Sequence, residues 1–136
     1  MHMSEYRYDS PLPDLLARFV LKKGLFRKEQ VEASVYELSR FGCVIKTDKW
    51  FEPGDTMALE LEMMMPFENL RANGLTGLVT ERKKYCSNFF YSIDFIEGDN
   101  RPRSMASGQL ARIRDVLDRK QQLLARREGA SIDATA

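Results

Sequence analysis

The sequence predicts an all-β domain closed by one C-terminal helix, built as a small antiparallel barrel or sandwich. Three observations carry this. Apolar and polar residues alternate in five clear segments between Leu15 and Ile96, the period of a strand with one buried face. Turn signals, Gly42 and Pro53-Gly54 among them, separate most of those segments. From Ser104 the apolar spacing changes to three, four and seven residues, the period of an amphipathic helix.

Composition bounds the rest. At 136 residues the chain is most simply one domain with a single core. A net charge of +1 supplies no global attraction for nucleic acid or an anionic membrane, so any anion site must be local. Lys and Arg gather in three places, Lys22 to Lys28, Arg82 to Lys84 and Arg112 to Arg127. No apolar run approaches the roughly 20 residues that span a bilayer, and the N-terminus lacks a secretory layout. Cys43 and Cys86 belong to no CxxC pair, and His2 is the one histidine, so a zinc site is hard to assemble. Reduced thiols and a cytoplasmic location are expected.

Met1 to Pro13 is polar and ends in Pro-Leu-Pro, which reads as an extended leader. It contains Arg7 between Tyr6 and Tyr8. Leu15 to Lys22 is the first strand, with a short helix through Asp14 to Phe19 as its competitor. Lys22 to Glu29 reads as a charged connection turning at Gly24, and Val31 to Leu38 as the second strand. Cys43 to Thr47 is the third. In the following loop Pro53-Gly54 signals a type II turn, and Trp50 and Phe51 are expected to cap an open end of the core.

Thr56 to Met64 shows the cleanest alternation, with Met57, Leu59, Leu61 and Met63 on one face. The Met63-Met64-Met65 end is expected to pack rather than project. Glu68 to Gly74 is a linker or short strand, and Leu75 to Lys83 a strand with a bulge or bend at Gly77. Arg82 to Asn88 then reads as a loop, and Phe89 to Ile96 closes the series. Ser107 is the expected N-cap of a helix whose stripe runs Leu110, Ile113, Leu117 and Leu124. That stripe needs the barrel or a second copy as partner. The predicted organisation is a leader over 1–14, a β-domain over 15–98, a helix over 104–128 and a disordered tail over 129–136.

The stretch with the densest chemistry is Glu37-Leu38-Ser39-Arg40-Phe41-Gly42, a tight connection between two strands. By itself it reads as a polar hairpin turn with Gly42 permitting φ > 0. In its order within the chain it resembles the PilZ family, through that family's Asp/Asn-x-Ser-x-x-Gly. Pro53-Gly54-Asp55 leading into Met57 to Leu61, and Tyr91-Ser92-Ile93-Asp94-Phe95 at the closing strand, carry the resemblance further. It covers about Arg7 to Arg119.

The resemblance implies a six-stranded antiparallel β-barrel with a C-terminal helix, and a non-catalytic receptor or adaptor for cyclic di-GMP. Arg7, Glu37, Ser39, Arg40 and Gly42 would be its ligand-binding residues, with no metal or cofactor. A guanidinium fork meets guanine acceptors or grips phosphate, a carboxylate accepts from the guanine donor edge, and a hydroxyl reaches phosphate. Three departures weaken the match. The family's second leader arginine is replaced by Pro11, and Lys23-x-x-x-Arg27 lies after the first strand. Glu37 stands for Asp or Asn, and Ser92 for a frequent glycine. Loss of one fork contact costs about 1.5–3 kcal/mol, or about one to two decades of affinity. Weak binding, or an adaptor role with a protein partner, is the expectation.

Two other classes are open. A single-stranded nucleic-acid barrel could use Phe89, Phe90 and Tyr91 beside Arg82 to Lys84, although the net charge speaks against it. A protein-interaction module could self-associate through the C-terminal helix. No histidine or cysteine is set beside a base, so an enzyme is not expected.

Overall fold

A computed structural model describes residues 10–23, 27–96 and 103–134. Its strands are β1 (Leu15–Lys23), β2 (Arg27–Leu38), β3 (Gly42–Thr47), β4 (Thr56–Met63), β5 (Leu70–Tyr85) and β6 (Asn88–Ile96), followed by α1 (Arg103–Ala134). They close into an antiparallel barrel in the order β1-β2-β3-β6-β5-β4. The six-stranded barrel with one C-terminal helix is the predicted fold class.

The alternation places the core. Phe19, Val35, Ile45, Leu61, Val79 and Ile93 all point inward and are essentially inaccessible. Burying such side chains is worth about 1.5–3 kcal/mol each, which is why the competing helix through Asp14 to Phe19 does not form: it would break the Leu15-Ala17-Phe19 face. Leu110, Ile113 and Leu117 of α1 join the same cluster and seal one mouth of the barrel.

Phe51 plugs the other mouth, edge-on to Phe19 and Tyr91 with ring centroids 5.3 Å away in each case. The Tyr91 hydroxyl accepts from the Phe51 amide (2.9 Å) and donates to the Lys49 carbonyl (2.7 Å). Burial pushes its phenol pKa up. Trp50 departs from its expected capping role: it is 57 % exposed. Its indole donates to Glu52 (2.8 Å), and Arg82 stacks 3.7 Å from a ring centroid. The Pro53-Gly54 turn forms as predicted, with Gly54 at φ 100° and Asp55 donating to the Glu52 carbonyl (2.9 Å).

Several boundaries differ. β2 starts at Arg27 because Lys28, Glu29 and Gln30 pair with Lys22, Leu21 and Val20; ladder bonds use backbone groups and do not need apolar side chains. β5 absorbs both the expected linker before Leu75 and the Arg82 to Lys84 loop, leaving Cys86-Ser87 as the turn. The register is regular at Gly77, and the extra residues of β5 fall at Asn73-Gly74 and Thr80. Gly77 serves close packing instead: a Cβ there would stand 2.6 Å from Ile93 Cγ2 and 2.8 Å from Leu59 Cδ2. The helix begins before Ser107, so that residue does not cap it, and it continues to Ala134 beyond the predicted 128. Once nucleated, a helix gains one hydrogen bond for each residue added. Leu124, placed in the apolar stripe, is 48 % exposed.

On the outer face Glu62 is 2 % exposed and bound by Arg18 Nη1, Arg71 Nε (2.6 Å) and Asn69 Nδ2 (3.5 Å). Arg18 also reaches Glu32 (3.1 Å). This ladder crosses four strands. Among the described residues no helix is long and apolar enough to cross a membrane.

Candidate functional site

The β2–β3 hairpin is assembled by its own serine and glycine. The Ser39 amide donates to the Gly42 carbonyl (2.9 Å), while the Ser39 hydroxyl accepts from the amides of Phe41 (3.1 Å) and Gly42 (3.3 Å). This is a serine-capped turn. The Phe41 carbonyl accepts from the Phe95 amide (2.8 Å), tying the tip to β6. Gly42 lies opposite Asp94 so closely that a Cβ would fall 2.1 Å from the Ile93 carbonyl oxygen. Ser39 and Gly42 are therefore committed to the hairpin itself.

Arg40 and Glu37 are the residues that present chemistry outward. Arg40 is exposed, its guanidinium 4.5 Å from the centroid of Phe41, which is itself 62 % exposed. Glu37 is half-buried and pairs with Val44, the outward residue between inward Cys43 and Ile45. Its direction is set by a bulge. Alternation from Val31, Ala33 and Val35 would turn residue 37 inward, but Tyr36 is an extra residue in β2, and the parity flips. A carboxylate at an apolar parity position was the sequence signal for that bulge.

Beside the hairpin on the outer face lie Tyr36 and Lys46, which the sequence did not point to, and Phe90, named above as a base-stacking candidate. Tyr36 meets Phe90 edge-on at 5.1 Å, and Lys46 lies 5.3 Å from the Tyr36 ring and 5.9 Å from that of Phe90. Val44 and Phe90 form a small apolar cluster with Tyr36 outside the barrel. The outer face beside the hairpin thus combines a carboxylate, a guanidinium, an ammonium and aromatic rings. Such a set recognises planar, hydrogen-bonding and anionic groups together. Ser92 pairs with Val44 on this face and is fully buried.

The described end of the leader passes this site. The Leu12 amide donates to the Val35 carbonyl (2.8 Å), next to the bulge. Arg7 lies outside the described residues. The structure therefore brings Glu37, Ser39, Arg40 and Gly42 into one hairpin and leads the chain toward it. Among the described residues no cluster of three His, Cys, Asp or Glu side chains could hold a metal.

No family model and no curated protein matches the chain. Among solved structures it is similar to YcgR from Escherichia coli, determined in complex with c-di-GMP. The TM-score is 0.59 at 17% identity, over 87% of this chain and 47% of that one. The chain thus spans about half the length of the structure it matches. At that identity the match is one of fold, and the fold is the PilZ-like barrel.

Proposed function

We propose that this chain is a non-catalytic regulatory barrel of cyclic di-GMP signalling, acting in the cytoplasm. It binds the nucleotide weakly, or serves as an adaptor for a regulated protein after losing part of the site. One observation carries the reading: the outward pair Glu37 and Arg40 sits on a serine-capped hairpin beside the incoming leader. The similarity to YcgR supports it, because that protein was determined in complex with c-di-GMP. In this assignment Arg40 grips phosphate or the guanine acceptor edge, Glu37 accepts from the guanine donor edge, and Arg7 closes over the ligand. Pro11 supplies no second fork, which sets the affinity one to two decades below that of a complete site, by about 1.5–3 kcal/mol.

Titration calorimetry of the full chain with cyclic di-GMP tests the receptor version. Heat is expected in the wild type and none in the Glu37→Gln/Arg40→Ala variant, with the melting temperature of the variant nearly unchanged. Absence of heat and of any thermal shift near millimolar nucleotide refutes nucleotide binding and leaves the adaptor role. A variant that no longer folds refutes the assignment of these two side chains to a ligand.

A further inference from the structure

Across the barrel mouth from the hairpin, one flank of α1 carries a feature that nucleotide binding does not use. Between Gln109 and Arg127 the helix holds six Lys or Arg residues against two Asp, a concentration of charge far above the chain's net +1. Arg112, Val116, Lys120, Leu123 and Arg127 follow one another at spacings of four, four, three and four, so they share one flank beside the core-facing stripe. Asp118 is not on it, and Asp115, three residues after Arg112 at the edge of the flank, is engaged by Arg119 (3.1 Å).

Two hollows lie along this flank. The larger, about 780 Å³, is bounded by Arg112, by Met65 and Phe67 of the β4–β5 connection and by Leu70 and Arg71 of β5. The smaller, about 270 Å³, has Pro13, Leu123 and Leu124 as its apolar wall between Lys120 and Arg127. Lys120 is held to Asp14 at 2.8 Å, which fixes the leader as the second wall. Phe67 is fully exposed, Leu123 56 % and Leu124 48 % exposed. Glu68 also borders the larger hollow, and Glu62 is neutralised by Arg18 and Arg71. Among the described residues neither Arg112 nor Arg127 has an ion-pair partner.

The two hollows and the cations between them are spread along about 22 Å of α1, at 1.5 Å per residue from Arg112 to Arg127, a length that suits a short helix laid alongside it. From this charge pattern we infer that the flank docks an acidic amphipathic helix of a partner protein. A second copy of this chain would set its own basic flank against this one, placing like charges together. A lipid surface, which a basic and apolar flank also attracts, is separated from a partner helix by the vesicle arm of the test below. The surface is separate from the hairpin and stands whether or not a nucleotide binds there.

The test is selection of a random peptide library, about 16 residues long to match the flank, on the immobilised full chain. Two double variants, Arg112→Glu/Arg127→Glu and Leu123→Ser/Leu124→Ser, change exposed positions only, and unchanged melting confirms that they fold. Selected peptides are expected to be acidic, with apolar residues at helical spacing, and to bind each double variant about tenfold more weakly. Three outcomes overturn the inference. One is an empty selection, or peptides that are not acidic or that bind both variants as well as the wild type. Another is a dimer in sedimentation velocity that dissociates with the Leu→Ser pair. The third is pelleting with phosphatidylglycerol vesicles that the same substitutions abolish. Nucleotide titration reads Glu37 and Arg40 instead, so the two assignments fail independently.

Discussion

Gly42→Ala tests whether the glycine of the hairpin is required by the strands rather than by a ligand. The new Cβ would meet the Ile93 carbonyl oxygen at 2.1 Å, its carbon at 3.1 Å and Asp94 Cα at 3.2 Å. All three are backbone atoms, so no side-chain rotation relieves the clash. Restoring an ordinary contact takes more than an ångström of movement between β3 and β6, at the point where Phe95 also donates to the Phe41 carbonyl. Overpacking of this kind costs about 1–3 kcal/mol, and weakening one or two adjacent backbone bonds adds about 1 kcal/mol. A loss of about 3 kcal/mol follows, or about 10 °C in melting temperature for a domain of this size. Urea unfolding followed by Trp50 fluorescence measures it, since the chain has a single tryptophan. A change below about 0.5 kcal/mol, the level of an ordinary surface substitution, would show that the strands tolerate a side chain there and that the glycine answers to something else.

Three further outcomes are expected. Glu62 is held below the usual carboxylate range, first by Arg18 and also by Arg71, against the opposing effect of burial. Its contribution is therefore complete above the ordinary value of 4.5 and is lost as pH falls through the lower folded value; Glu62→Gln should flatten the acid limb of the stability curve, and parallel curves would refute the coupling. Cys43 is buried, its thiol pushed up to about 12, whereas Cys86 is exposed on a turn. One equivalent of thiol reagent should react with the folded chain and a second only in denaturant, and two fast equivalents would contradict the buried assignment. Tyr91→Phe removes the bridge between Lys49 and Phe51 and should cost about 1–3 kcal/mol, the scale for stranding a buried donor; a neutral result would mean that water replaces the hydroxyl.

What could be read from the sequence follows from where burial leaves a periodic mark. Met57, Leu59, Leu61 and Met63 alternate because one face of β4 is core, and the segment is found nearly to the residue. Lys28, Glu29 and Gln30 carry no such mark, yet they pair along β1. Arg82 to Lys84 likewise looked like a loop although their backbones bond to β6. The hairpin was legible because Glu37, Ser39, Arg40 and Gly42 are unusual together in a short connection. The grouping of Tyr36 and Lys46 with Phe90 was not, because it arises from the pairing of β2, β3 and β6, which alternation within a single strand does not reveal. Periodicity shows which face is wet only while the register is unbroken.

The order of strands around the barrel has a consequence for how the chain assembles. β1, β2 and β3 pair consecutively, as do β4, β5 and β6, and the ring is completed by two seams, β1 with β4 and β3 with β6. Each half is a meander of local contacts that can form early, whereas the seams join residues such as Ala17 with Leu61 and Cys43 with Ile93 and must wait for both halves. Cutting the chain in the 48–55 connection should thus leave two fragments able to recombine. The hairpin belongs wholly to the first fragment and the basic helix to the second, so each surface could be altered by changes confined to its own half.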